Sequence, residues 1–422
     1  MLPAIHSASL WLYNILLIPI LFFSVLFYLI TFSNFFLKPG KRTFLKNINW
    51  PKVTIQIPTR NEPVALRCAR KCLELDYPKD KLEIIIGDDS NDGVTSNLIK
   101  KFVKRHPEIK VLRRSSNVGF KAGNLNNMLK HSGGEIIVVF DSDFVPTKSF
   151  LRKVVPPFVE DERVGCVQVK WKFLNLMHNR VSKLASAFIM VYHQVIAPLN
   201  NRGGVSLLFG SGEAVRKSLL LKIGGWQEGS LTEDVEFSLR VLKSEYKTVY
   251  ISDFEIPGEV PFTIKGAFKQ QKKWAYGNVR AFMQHAGWIL FGKLSLIQKF
   301  LVVFTLLGYT SALFLVLFAV SGIISFVSGT PTAIDFYKFF FETGRIIFIS
   351  SGFLVATIVA LSKEKRIGMI LSVLGSSLTI GFIIALGVAT GVINALLGRK
   401  MDWSIIQKIG NKNPNLNLVK KH

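Results

Sequence analysis

The chain has 422 residues, 49% of them hydrophobic and 34 of them Phe, with a formal net charge of +25. The apolar residues gather into one block near the amino terminus and several after residue 298, each long enough to cross a hydrocarbon layer. The positive excess therefore reads first as membrane topology and contact with anionic lipid; no nucleic-acid partner is expected, because there is no zinc finger or RNP box and the lysines and arginines are scattered.

Leu10 to Leu37 is almost wholly apolar, too long for a signal-peptide core, and no small-residue cleavage site follows it. It reads as an uncleaved membrane helix in which Pro19 is a candidate kink. The basic cluster Lys38-Pro39-Gly40-Lys41-Arg42 behind it places residue 40 onward in the cytoplasm.

From Val53 the pattern becomes α/β. Val53 to Pro58 is a predicted strand, with a helical stretch through Leu75 after Thr59-Arg60-Asn61-Glu62. Leu82 to Gly87 is a second strand ending at Asp88-Asp89-Ser90, a helix follows over Val94 to Arg105, and a third strand lies near Lys110-Val111-Leu112. A further helix opens at Asn117 to Asn124 and leads into the apolar run Ile136 to Phe140, a buried parallel strand. Strands alternating with helices predict a doubly wound, mostly parallel sheet with right-handed crossovers. Its carboxyl edge collects Thr59, Glu62, Asp88, Asp89, Asp141 and Asp143. That edge carries neither GxGxxG nor a Walker lysine loop, so a dinucleotide oxidoreductase and a P-loop ATPase are both excluded.

Asp141-Ser142-Asp143 follows the strand directly, where an open sheet binds ligands. Two hard oxygen ligands at i and i+2 suit Mg²⁺ or Mn²⁺ shared with a diphosphate, since such ions complete their shell with phosphate and water. The alternative is a simple turn cap. Cys68, Cys72 and Cys166 make an odd set with no Cys/His cluster around them, and read as buried or idle thiols in a reducing compartment.

Beyond Pro157 come a strand around Val164 to Trp171, a helical stretch Val181 to Ile196, and the glycine-rich turn Phe209-Gly210-Ser211-Gly212-Glu213. Glu233-Asp234 opens a helix, where an acid also favours the helix dipole. Residues 262 to 297 form a long amphipathic stretch suited to a membrane interface and containing Gln270-Gln271-Lys272-Lys273-Trp274. Phe300 to Phe326 and Ile346 to Leu361 are predicted membrane helices that cross outward and return. Ile367 to Leu397 is apolar but punctuated by Gly375, Gly381, Gly387 and Gly391; a re-entrant or interfacial element there keeps the basic tail inside, as the charge rule prefers.

In this order the motifs resemble the inverting, membrane-embedded family 2 glycosyltransferases, the cellulose, chitin, hyaluronan and mannan synthases. Asp88-Asp89, Lys121-Ala122-Gly123-Asn124, Asp141-Ser142-Asp143, Thr232-Glu233-Asp234 and Gln270-Gln271-Lys272-Lys273-Trp274 carry the likeness. Val167 to Asn175, Phe140 to Pro146 and Gly398 to Trp403 look most like the plant cellulose-synthase-like A and C branches, glucomannan and xyloglucan-backbone synthases. The resemblance implies a glycosyltransferase A type fold and a set of roles. Thr59, Glu62 and Asp88 hold the nucleoside, Lys121 the diphosphate, Asp141 the nucleotide and Asp143 the metal, Mg²⁺ or Mn²⁺. Asp234 is the general base. Gln270, Lys273 and Trp274 border acceptor and diphosphate, and Gly210 and Ser211 form part of the acceptor floor. The family usually has arginine where Lys273 stands, and lysine cannot make the bidentate fork. Asp402 to Lys408 reads, by analogy, as a mobile gate over the nucleotide.

The expected organisation is a membrane helix and basic flank over 1–42, a cytoplasmic catalytic domain over 43–261, and interfacial helices over 262–297. A transmembrane or re-entrant region over 298–398 and a basic tail over 399–422 complete it. The expected partners are a nucleotide-sugar donor (UDP-glucose or GDP-mannose), a polysaccharide or oligosaccharide acceptor, and membrane lipids, with a homo-oligomer or export partner left open. A polyprenyl-phosphate glycosyltransferase is the competing reading, and a non-catalytic membrane scaffold the third.

Overall fold

Val53 to Thr59 is buried at every position, as a strand inside a parallel sheet covered on both faces must be. In the computed structural model, which describes residues 2–36, 48–330, 335–402 and 404–411, this strand is β1. The others are β2 (Leu82–Asp88), β3 (Ile109–Arg113), β4 (Ile136–Val139), β5 (Val164–Phe173), β6 (Glu213–Arg216) and β7 (Lys247–Gly258). They form one seven-stranded sheet of order β3-β2-β1-β4-β6-β5-β7. Only β6 runs antiparallel to its neighbours. The predicted doubly wound, mostly parallel sheet is therefore present. From β1 the chain winds outward through β2 and β3, then crosses back to β4 on the other side of β1. The carboxyl ends of β1 and β4 are thus a topological switch point, where such sheets leave a crevice.

Ile55, Ile57, Val138 and Phe140 face one layer, packing with the helix Ala65–Leu73 and with Phe150. Ile85, Ile137 and Val139 face the other, against Leu125 and Met128 of the helix Phe120–Lys130. Cys68, Cys72 and Cys166 are free and buried, as expected.

Among the described residues, three helices are long and apolar enough to cross a membrane: Leu2–Ser33, Thr310–Ser328 and Ile367–Leu396. The first runs uninterrupted through Pro19. Leu37 and the basic residues 38–42 lie outside the described residues. Three expectations need correction. The stretch Phe300 to Phe326 is two helices, Leu296–Leu307 and Thr310–Ser328, parted at Gly308, a poor helix former. Ile346 to Leu361 belongs to a pair, Phe336–Ser350 and Gly352–Lys363, bent by 60°. The bend seats Gly352 on the amino-terminal helix: its N–H donates to Ser24 Oγ at 2.8 Å, and a Cβ there would stand 2.2 Å from Ser24 O.

The third correction concerns Ile367–Leu396, whose glycines do not break it. It runs on through a π-helical turn at Ser377–Gly381. Gly387 and Gly391 instead let it lie directly on the long helix Ile264–Phe291, small residues permitting close backbone approach. A Cβ at Gly391 would fall 2.4 Å from Lys272 O. Gly391→Leu is expected to cost about 1–3 kcal/mol or more by overpacking against backbone that cannot yield. The thermal unfolding midpoint of the detergent-purified variant measures it, and an unchanged midpoint would show that the helices do not pack this closely.

Candidate active site

The crevice at the switch point is a cavity of about 1190 Å³ including its mouth. Strand ends deliver Thr59 and Glu62 from β1 and Asp141 and Asp143 from β4. Lys121 comes from the first turn of Phe120–Lys130, and Asp234 from the first turn of the helix Glu233–Lys243. Gln270, Lys273 and Trp274 come from Ile264–Phe291. All of these, with Gly210, line the one cavity. Stretches far apart in sequence therefore meet where the sequence reading brought them together.

Lys121 is the hub. Its Nζ lies 2.9 Å from Asp141 Oδ1 and 3.0 Å from Glu233 Oε1, and it donates to Gly210 O at 2.5 Å. Burial alone would lower its pKa, but Asp141, Glu233, Glu213 and Asp234 together hold it well above the usual lysine range. Asp234 feels the converse. Burial, with Glu233 beside it, raises its carboxyl to about 7 against the pull of Lys121 and Lys273. Lys273 is lowered by burial despite Glu233 and Asp141. Gln270 is buried, and its Oε1 has no hydrogen-bond partner among the described residues, an acceptor left over in the cavity wall. The long helix comes so close to the Thr232-Glu233-Asp234 turn that a Cβ at Gly277 would stand 2.3 Å from Thr232 Oγ1. That contact fixes the two motifs relative to each other.

Asp143 is 2% exposed and already engaged. Its Oδ2 accepts from Glu259 N at 3.0 Å and faces Lys408 Nζ at 2.9 Å. Lys408 belongs to a carboxyl-terminal strap that returns over the cavity. Ile409 N donates to Glu259 Oε2 at 2.6 Å and Gly410 N to Glu259 Oε1 at 3.1 Å, while Arg67 Nη2 holds the same carboxylate at 2.8 Å. Burial would lower the pKa of Lys408, but Asp143 and Glu62 raise it above the lysine range. Glu62 itself is pushed to about 7 by burial, with Asp143 adding to the rise and Lys408 and a hydrogen bond from Ser142 opposing it. Trp403, in the stretch read as a gate, lies outside the described residues.

Two residues singled out in the sequence stand behind the wall. Asp88 is 2% exposed and outside the cavity lining. It accepts from Ser90 N at 2.9 Å and from Ser96 Oγ at 2.7 Å, capping the next turn of chain. β2 still includes Asp88, and the side chain that reaches the cavity is that of the following residue, Asp89, held by Arg114 through contacts of 2.9 and 2.5 Å. Ser211 is also fully buried. Its Oγ accepts from Asp141 N at 2.9 Å, so it sets the Asp141 backbone from beneath. Sequence reasoning missed Glu213, the first residue of β6, and Glu259, which follows β7 directly. Trp171 and Phe173 also join Trp274 around Val260 and Ile189 on the apolar side of the cavity.

The family description "glycosyltransferase like family 2" matches residues 51–277, a span that holds the whole sheet and the motifs from Asp88-Asp89 to Gln270-Gln271-Lys272-Lys273-Trp274. The chain belongs to the family 2 glycosyltransferases. Among similar proteins, this glycosyltransferase is 30% identical over 267 residues to a probable glucomannan 4-beta-mannosyltransferase 7 of Oryza sativa subsp. japonica, a match over 61% of this chain and 46% of that one. It is 29% identical over 275 residues to the probable glycosyltransferase YdaM of Bacillus subtilis (strain 168), over 60% and 64% of the two chains. The matched stretch is less than two thirds of either relative's length. Among solved structures, the mannosyltransferase PcManGT from Pyrobaculum calidifontis, in complex with GDP-Man and Mn²⁺, shares the fold. That match has a TM-score of 0.62 at 19% identity, over 90% of this chain and 99% of that one.

Proposed function

We propose that this glycosyltransferase is an inverting, membrane-embedded hexosyltransferase. It moves glucose from UDP-glucose or mannose from GDP-mannose to a hydroxyl of a growing β-linked glycan. The observation that carries the reading is Lys121 ion-paired at once to Asp141 and Glu233, with Asp234 beside it in the same cavity. The relatives named as mannosyltransferases, and the neighbour solved with GDP-Man and Mn²⁺, support the donor class.

Thr59, Glu62 and Asp89 take the nucleoside, Asp89 replacing the buried Asp88. Lys121 and Lys273 face the diphosphate, whose charge grows as the sugar–phosphate bond breaks. Asp234 takes the proton from the acceptor hydroxyl on the opposite face of the sugar, the demand that inversion makes. Its raised pKa, about 7, places it where a base works best near neutrality. Trp274, Trp171 and Phe173 offer flat apolar surface to sugar rings, with the unpaired Gln270 Oε1 open to a hydroxyl.

Asp141 and Asp143 would hold a divalent cation. The ammonium of Lys408 already sits on Asp143 as a cation stand-in. Mg²⁺ or Mn²⁺ bound there supplies Lewis-acid charge to the departing phosphate. On this reading residues 43–261 are its cytoplasmic domain, as the basic flank of the first apolar helix favours, with Ile264–Phe291 at the membrane boundary.

Radiolabelled UDP-glucose and GDP-mannose, given separately with divalent metal to the purified protein and a β-glycan oligosaccharide, test the assignment. Extension of the oligosaccharide from one donor is the expected result. A lone lipid-linked monosaccharide would replace this reading with single-sugar transfer to a polyprenyl phosphate.

A further inference from the structure

Glu213 is a carboxylate behind the wall of the active site, only 1% exposed, on a strand that pairs it with Val139 on one side and Gln168 on the other. It makes no ion pair among the described residues. Among the described hydrogen bonds its side chain accepts one, from Gly210 N at 2.9 Å. Burial pushes its pKa well above the ordinary carboxylate range, with Lys121 opposing and Asp234 and Glu233 adding to the rise. A neutral acid can accept that one hydrogen bond without leaving an uncompensated charge.

Gly210, whose N–H Glu213 holds, is the junction of the cavity. Its φ is +83°, open to glycine at little cost. Its carbonyl accepts from Lys121 Nζ at 2.5 Å. A Cβ on Gly210 would lie 3.1 Å from Asp234 Oδ2 and 3.2 Å from Lys121 Nζ. Gly210 therefore stands against both groups, with its carbonyl on the lysine and its Cα beside the aspartate, and its amide N–H is the point at which Glu213 holds it. The rest of the loop is tied independently. Phe209 N donates to Gln168 Oε1 at 2.8 Å, Gly212 N to Val139 O at 3.0 Å, and Ser211 O accepts from Trp171 Nε1 at 2.9 Å. Only the Gly210 N–H depends on Glu213.

We propose that Glu213 is a positioning residue for the transfer reaction. By accepting from Gly210 N–H it holds residue 210 in place, and with it the carbonyl that Lys121 meets and the Cα that borders Asp234. The proposal rests on Asp234 as the base, and it requires an acceptor atom at residue 213, not a charge.

The test compares Glu213→Gln, which keeps the acceptor and removes the acid, with Glu213→Met, which keeps the volume and removes the acceptor. Asp234→Asn runs alongside. The Gln variant is expected within about threefold of the unsubstituted enzyme. The Met variant is expected to lose about 100-fold in kcat, the scale of a misplacement near 1 Å, with its thermal midpoint within a few degrees. A Met variant with normal kcat, or a Gln variant as slow as the Met variant, overturns the role of Glu213. An active Asp234→Asn enzyme overturns the base assignment instead, so the two failures are separable.

Discussion

Asp234→Asn is expected to slow sugar transfer sharply and leave donor binding in place. Asparagine is nearly isosteric and cannot take a proton, so the loss is that of a general base, about 10²- to 10⁴-fold in kcat. Fluorescence or calorimetric titration with the nucleotide separates this from a binding defect, since Lys121 and Asp141 are untouched. The pH dependence gives a second reading. The carboxyl is raised to about 7 by burial and Glu233, and it must be ionised to act. Transfer therefore rises with pH up to about 7, and falls about tenfold per unit below it. The raised pKa has the opposite sign for stability. Ionising a group whose folded pKa lies above its unfolded value disfavours the folded state, so this residue costs stability as pH climbs from the ordinary carboxylate range through 7. Residual transfer in the Asn variant above a tenth of normal would move the base elsewhere.

Chelation of divalent metal, and Asp143→Asn, should each reduce transfer by roughly 100-fold or more, since metal charge at a diphosphate is worth several kcal/mol. Lys408→Ala should act in the opposite sense on one parameter. Its ammonium stands 2.9 Å from Asp143 Oδ2, so a cation arriving there competes with it. Without it, the metal concentration giving half-maximal rate falls, whatever happens to the maximal rate. Metal titrations of the three enzymes decide the matter. Undiminished turnover in chelator would remove the metal from Asp143, and an unchanged half-maximal concentration in the Lys408 variant would show that the two cations do not compete.

The sheet was legible because parallel strands covered on both faces must be continuously apolar, as Ile55-Gln56-Ile57 and Ile84-Ile85-Ile86 nearly are. The site was legible where a motif directly follows such a strand, as Asp141 and Asp143 do. At Asp88-Asp89 the sequence does not say which carboxylate faces the cavity, because which of two adjacent side chains turns outward depends on where the strand ends. The membrane helices were misdivided because hydropathy is blind to breaks. Gly308 parts two apolar helices, while Gly387 and Gly391 serve packing and leave theirs whole. Glu259 could not be foreseen at all. Its partners, Arg67 and the Ile409 and Gly410 amides, are tertiary neighbours that no local pattern records.

The seat of Gly391 on the Lys272 carbonyl has a wider consequence. A 30-residue apolar helix such as Ile367–Leu396 is long enough to cross a bilayer, and a spanning helix of that length answers a change in hydrocarbon thickness by tilting. With no room for even a methyl group at that contact, any change of tilt is handed on to the turn of helix bearing Gln270, Lys273 and Trp274. On the proposed reading, lipid acyl-chain length is then expected to change turnover, which transfer assays in bilayers of different thickness measure.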